Sequence, residues 1–311
     1  MKVIHVMTKN IEEDIYRGLG NTSILVAFLS VLKWKSFGFT TKIYVDEYTK
    51  DYFSKIGLLD LYDEVDDTYF TSTPNIYDKY NINKHYFWAF SKLFVYLNET
   101  EPFIMADMDF IPLKDYHSEL DEKCLVFYKE ELNKDQYPNM DNLPTAENYS
   151  FPEWFTWNEK PCNMCFSYIN DSELKNLYLS EAIRYASNNT EEYNIDDKFE
   201  EHTLIPRMVF AEQRLLSECA KHLDIEIKEL KTRYEFIFNT KAIHLFGYKD
   251  IDFNGNNPIN WIMFFLDKLN KEFPEVYSKL IELEQYTEYR EKIEEEGFVY
   301  ETPKMLKITS W

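Results

Sequence analysis

The chain has 311 residues and a formal net charge of −21, with 45% hydrophobic and 17% aromatic residues, enough to bury a sizeable core and to exclude general disorder. Only 7 glycines occur where average usage gives roughly 22, so neither a Walker A loop nor a G-x-G-x-x-G turn can be built, and a bound phosphate must be held another way. The acidic surface argues against nucleic acid as a partner, and no segment approaches the roughly 18 apolar residues of a membrane span, so the reading is a soluble, cytoplasmic protein.

Taken in chain order, Val3 to Met7 reads as a strand and Ser23 to Trp34 as a helix with Ile24, Leu25, Phe28, Leu29 and Leu32 on one face. Lys42 to Asp46 is a second strand, Lys50 to Ile56 a short helix, and Tyr86 to Leu97 a longer helix. Phe103 to Ala106 is a buried strand. Strands alternating with helices predict an α/β fold with a mainly parallel sheet. Further strands are expected at Cys124 to Tyr128, Met164 to Ile169, Ile225 to Lys228 and Ala242 to Phe246. Helices are expected over Ser172 to Ala186, Pro206 to His222, Ile259 to Asn270 and Glu275 to Glu296. The stretch from Asn133 to Lys160 is long for a structureless loop and is either functional or contains short elements. Its Trp154, Phe155 and Trp157 could stack on a sugar ring or fill the core. Four cysteines fit a reducing compartment, and Cys162 and Cys165, lacking a second C-x-x-C pair for zinc, read as small core residues.

The chemistry is expected at Asp107 and Asp109, two carboxylates at the end of the buried strand. In extended chain, residues two apart point to one side, so both could face one ion beyond the strand's carboxyl end. Mg²⁺ and Mn²⁺ accept such a pair and complete their shell with waters and substrate phosphates. The alternative is a simple acidic turn. A second D-x-D pair, Asp250 and Asp252, lies in a polar run and reads as a solvated loop.

With these residues in place, Phe90-Ser91-Lys92-Leu93 followed by Pro102 to Pro112 resembles the helix, strand and D-x-D block of GT-A glycosyltransferases, especially the retaining, family 8-like ones. Three later stretches resemble motifs of that family in its own order: Asn163 to Asn170, Glu212 to Leu216, and His244 to Lys249. Cys165 stands where the family has Gly, Glu212 where it has Asp, and Ser217 where it has Asn; Lys249 comes one residue early. The resemblance implies a GT-A (Rossmann-like) sheet flanked by helices over residues 1–253, with a C-terminal helical extension over 254–311 that could cap the fold or form a dimer interface.

The resemblance also implies a nucleotide-sugar donor, UDP-linked, a glycan or other hydroxyl acceptor, and a Mn²⁺ or Mg²⁺ ion held by Asp107, Asp109 and His244. Without it, His244 would read as a structural histidine. Glu212 and Gln213 are implied as catalytic residues beside the donor's anomeric carbon, although a Glu-Gln pair on a helix is ordinarily solvent-facing. Lys92 and Asn163 are implied on the donor or acceptor side, with Ala106, Met108 and Gly247 as donor contacts. Lys249 would neutralise the diphosphate, or else be a solvated lysine. Thr8 is a nucleotide-contact candidate because ligands bind beyond the carboxyl ends of such strands. Rival readings are a non-catalytic nucleotide-sugar-binding protein on the same scaffold and a metal-dependent nucleotidyltransferase. The sequence leaves the oligomeric state open.

Overall fold

The computed structural model describes residues 1–8, 20–132, 136–140, 143, 145–146, 149–189, 206–231, 241–245 and 259–301. Lys2–Met7 (β1) pairs in parallel with Thr40–Val45 (β2) on one side and with Ile104–Ala106 (β4) on the other. Glu64–Asp66 (β3) extends the sheet beyond β2. On the far side of β4, Phe166–Ile169 (β7) runs antiparallel and is followed by Cys124–Val126 (β6) and Lys228–Glu229 (β8). The seven-strand order is β3-β2-β1-β4-β7-β6-β8. A small second sheet joins Phe110–Pro112 (β5) to Ala242–His244 (β9) in antiparallel pairing. The mainly parallel mixed sheet flanked by helices is the architecture expected from the sequence.

The chain leaves β1 toward β2 and β3, then returns to place β4 on the opposite side of β1. That reversal makes the β1/β4 boundary a switch point, where neighbouring crossovers part and leave a crevice at the strands' carboxyl ends. Thr8 and Asp107 are the first residues beyond those two ends.

Asn21–Ser36 (α1) is buried continuously from residue 22 to residue 31, because it lies between β5 and the helix Ile259–Glu272 (α7). The expectation of a single apolar face is therefore too narrow: Ser23 and Ser30 are buried along with the aliphatic residues. Glu47–Lys55 (α2) begins earlier than expected because Asp46, read as a strand end, accepts a hydrogen bond from Thr49 N at 2.9 Å and caps the helix. Ile76–Lys79 (α3) is a single turn, and Phe90–Asn98 (α4) starts four residues later than its sequence pattern implies. Ser172–Asn188 (α5) is capped by Asp171, which accepts from Leu174 N at 3.0 Å. Residues 206–209 are α-helical, Phe210–Arg214 forms a π-helical turn, and Leu215–His222 (α6) continues the helix.

The segment expected as one helix from Glu275 to Glu296 is instead Pro274–Leu280 (α8) and Thr287–Glu296 (α9), joined through a short 3-10 turn. The break lets Tyr286 bury completely and donate a 3.0 Å hydrogen bond to Asn21 O at the start of α1. The strand expected at Ile225 to Lys228 is confined to β8. One core layer packs α4, α5 and α6 on the sheet through Phe90, Phe94, Tyr178 and Leu215. The opposite layer packs α1, α2 and α7 through Leu25, Phe28, Phe53 and Phe265, so the C-terminal helices contribute to the same core as β2. No described helix is long and apolar enough to cross a membrane.

Candidate active site

The turn after β4 builds the site. Asp107 N donates to Cys165 O at 2.8 Å, fixing the turn to β7, and Phe110 N donates back to Asp107 O at 3.0 Å. Met108 and Asp109 thus occupy the middle of a tight turn, with the Met108 side chain packed against the α1-side core. Asp109 O accepts from Leu245 N at 3.3 Å, and Phe110 sits opposite His244 in the β5–β9 ladder. The result brings one ligand atom each from Asp107, Asp109 and His244 within 4.8 Å of one another. His244 Nε2 stands 3.6 Å from Asp109 Oδ1. Strand alternation is not what joins the two carboxylates, as the i, i+2 argument supposed: β4 ends at Ala106 and the turn does the work.

An octahedral Mn²⁺ or Mg²⁺ holds its ligands at about 2.1 Å, which puts adjacent donor atoms about 3 Å apart and opposite ones about 4.2 Å apart. The observed spread needs only a small side-chain adjustment to meet those spacings. Two carboxylates supply the oxygen ligands that such hard cations take, and the imidazole adds a nitrogen donor. Asp107 Oδ1 is already 2.5 Å from Lys92 Nζ, so its second oxygen is the one available to a cation.

Lys92, on the first turn of α4, also stands 2.8 Å from Glu212 Oε1, an ion pair without hydrogen-bond alignment. Burial alone would depress the lysine, but the Asp107 and Glu212 carboxylates outweigh it and hold Lys92 above the ordinary lysine range. Glu212 is pushed up, first by burial and then by the Asp107 charge, with Lys92 opposing both. Glu212 lies within the π-helical turn, whose extra residue reorients side chains relative to a regular helix. Tyr178 on α5 donates to Glu212 O at 2.6 Å, which holds that turn against the neighbouring helix.

Gln213 has a different setting. Its Oε1 accepts from Tyr137 OH at 2.5 Å and its backbone O accepts from Cys162 N at 3.1 Å. Asn163 is committed to a local turn: Oδ1 accepts from Cys165 N at 3.2 Å while Nδ2 donates to Glu130 Oε1 at 2.9 Å and Tyr128 OH at 3.1 Å. Ala106 is the buried last residue of β4, and Thr8 is partly exposed at the end of β1. Gly247 and Lys249 lie outside the described residues.

The long stretch before β7 straps onto the π-helical turn. Arg214 Nη1 donates to Pro138 O at 2.8 Å and Nη2 to Trp157 O at 2.6 Å. Glu218 Oε2 accepts from both Thr156 N and Thr156 Oγ1 at 2.9 Å. These anchors hold Trp157 at φ 63°, a left-handed conformation costly for a bulky residue. Trp157 lies under the Arg214 guanidinium, Trp154 stacks on His222 at 4.5 Å, and Phe155 is buried. Phe155 thus fills the core, while Trp154 and Trp157 pack against it and stay partly exposed. All four cysteines are buried, free thiols.

Sequence reasoning missed Tyr137, Tyr178 and the buried ring of His5. The first two carry no motif. His5 had a signal: a polar ring inside the apolar strand Val3-Ile4-His5-Val6 must find buried partners.

With the geometry in hand, the chain can be set beside known proteins. Residues 25–283 match the model of a family described as "Family of unknown function (DUF6734)", and the chain belongs to that family. No curated protein matches it. Among solved structures it is similar to mouse xyloside xylosyltransferase 1 in its apo form, at 9% identity and TM-score 0.40, over 74% of this chain and 86% of that one. It is also similar to the PaToxG glycosyltransferase, at 11% identity and TM-score 0.35, over 96% and 83% of the two chains. At TM-scores under 0.5, neither likeness transfers a residue role or a substrate to this chain.

Proposed function

We propose that this member of the family is a metal-dependent glycosyltransferase of the retaining, family 8-like GT-A kind. It moves a sugar from a nucleotide-diphosphate donor, UDP-linked, to a hydroxyl of a glycan or related acceptor. The observation that carries the reading is the convergence of Asp107, Asp109 and His244 at the switch-point crevice, beside the buried Lys92–Glu212 pair. A parallel sheet places a ligand at that crevice, and a carboxylate-held cation grips a diphosphate without the glycine loop this chain lacks.

Asp107, Asp109 and His244 would hold Mn²⁺ or Mg²⁺, which when bound supplies positive charge against the departing diphosphate. Thr8 and the backbone of Ala106 and Met108 line the nucleotide side of the crevice. Lys92 keeps two carboxylates at fixed separation and places its own charge between them. Glu212 is the carboxylate beside the donor sugar, where it stabilises positive charge developing at the anomeric carbon. Gln213, next to it on the π-helical turn, acts on the donor sugar through its amide dipole. By the family resemblance, Asn163 borders the donor sugar, while Gly247 and Lys249 meet the diphosphate. The four buried thiols fit a reducing, cytoplasmic setting.

Incubation with a panel of UDP- and GDP-sugars and Mn²⁺, followed by measurement of released nucleotide, tests the proposal. Release by the wild type that Asp109→Ala abolishes supports it. Cation-dependent UDP binding with no release from any donor would instead identify a binding protein, and no nucleotide binding at all would remove the reading.

A further inference from the structure

Beneath the D-x-D turn, a chain of buried polar groups runs from the far edge of the sheet to the backbone of the turn itself. Tyr62 OH lies 2.7 Å from His5 Nδ1, the two rings meeting edge to face. His5 Nε2 lies 3.4 Å from Ser30 Oγ, at the long end of hydrogen-bonding distance. Ser30 Oγ donates to Phe110 O at 2.7 Å. His5 and Ser30 are fully buried, and Tyr62 is nearly so.

The directions of these bonds follow from proton counting. Ser30 has one hydroxyl proton, and the short contact to a carbonyl claims it, because a carbonyl can only accept. Ser30 Oγ is then an acceptor toward His5, so His5 carries its proton on Nε2. That leaves Nδ1 as an acceptor, filled by the Tyr62 hydroxyl. Burial drives the His5 pKa down to about 3, against the pull of the Asp109 charge, so the ring stays neutral and keeps one acceptor nitrogen. Every bond points the same way, from Tyr62 toward Phe110.

Phe110 follows Asp109 directly and faces His244 across the β5–β9 ladder. Its N–H is spent closing the turn onto Asp107 O, and its C=O is spent on Ser30. We propose that Tyr62, His5 and Ser30 are positioning residues for the cation site, a one-way hydrogen-bond relay that locks the Phe110 peptide and through it the aim of Asp109 and His244. The inference rests on the reading of Asp107, Asp109 and His244 as cation ligands. None of the three relay residues belongs to that ligand set. Groups behind metal ligands fix ligand orientation, and their loss lowers metal affinity.

The test uses the full chain and Mn²⁺ alone, with free Mn²⁺ followed by electron paramagnetic resonance. Ser30→Ala removes the donor to Phe110 O and should weaken Mn²⁺ binding by about 10- to 100-fold. Ser30→Cys fills a similar volume with a much weaker donor, so it should weaken binding as Ala does; a packing role predicts that Cys restores it. A readout on the wild type needs no variant: ¹⁵N spectra of the His5 ring should show a neutral imidazole protonated at Nε2. Mn²⁺ binding by the wild type with unchanged affinity in both Ser30 variants overturns the relay and leaves the cation site standing, as does an Nδ1-protonated His5. Wild-type protein that binds no Mn²⁺ overturns the cation site and the relay together.

Discussion

Replacing Lys92 by methionine removes the only cation placed between Asp107 and Glu212 among the described residues, while keeping most of the side-chain volume. Its Nζ contacts stand at 2.5 Å and 2.8 Å, with 17% side-chain exposure at Lys92 and 5% at Glu212. At an effective dielectric of about 20, each contact carries about 6 kcal/mol of gross Coulomb energy, most of which offsets desolvation. Removing one partner of such a buried pair leaves uncompensated charge and costs about 3–5 kcal/mol, a large share of the roughly 5–15 kcal/mol that stabilises a domain.

The loss should depend on pH with a definite sign. The Glu212 pKa is raised in the folded state, so its ionised form costs stability; that cost is absent below the unfolded value and fully present above the folded one. Taking away Lys92 removes the charge that opposes the rise, which increases the cost at alkaline pH. Urea unfolding of wild type and Lys92→Met at about pH 8 and about pH 5 should show a loss smaller by at least about 1 kcal/mol at the lower pH, with unchanged m values. A loss below about 1 kcal/mol at both values, or one equal at both, would refute the assigned role of Lys92.

Tyr286→Phe keeps the buried ring but deletes the hydrogen bond to Asn21 O. It should cost about 0.5–1.5 kcal/mol in a urea melt, and no cost would mean that this contact does not tie the C-terminal helices to α1. Burial pushes the Cys162 thiol up to about 11 and raises Cys124, Cys165 and Cys219 as well. Ellman's reagent at neutral pH should therefore label no thiol quickly in the native protein and all four after unfolding; a fast native thiol would contradict the burial.

Much of the architecture was legible because it is written in periodicity. Val3 to Met7 and Phe103 to Ala106 are short apolar runs and the Ser172 helix carries a 3.6-residue pattern, and the structure places elements there. What periodicity misses is what long-range packing decides. Nothing local to Leu283 or Glu284 breaks the C-terminal helix; the break comes from burying Tyr286 against α1, more than 260 residues away in sequence. The π-helical turn at Glu212 is equally hidden, since Pro206 to His222 reads as one continuous helix. Asp107 and Asp109 were found in the sequence, but their convergence depends on a turn and on His244 arriving through β9, which no spacing within the D-x-D segment encodes. The ion pair of Lys92 with Glu212 spans 120 positions and becomes visible only when α4 and the π-helical turn meet.

The most direct test of the central claim is a crystal grown with Mn²⁺ and UDP, measured for anomalous scattering from the metal. The account predicts one strong peak about 2.1–2.3 Å from carboxylate oxygens of Asp107 and Asp109 and a nitrogen of His244, with the diphosphate oxygens completing the shell. Bound UDP with its metal held elsewhere, or with no metal while the three side chains stay as they are, would contradict it.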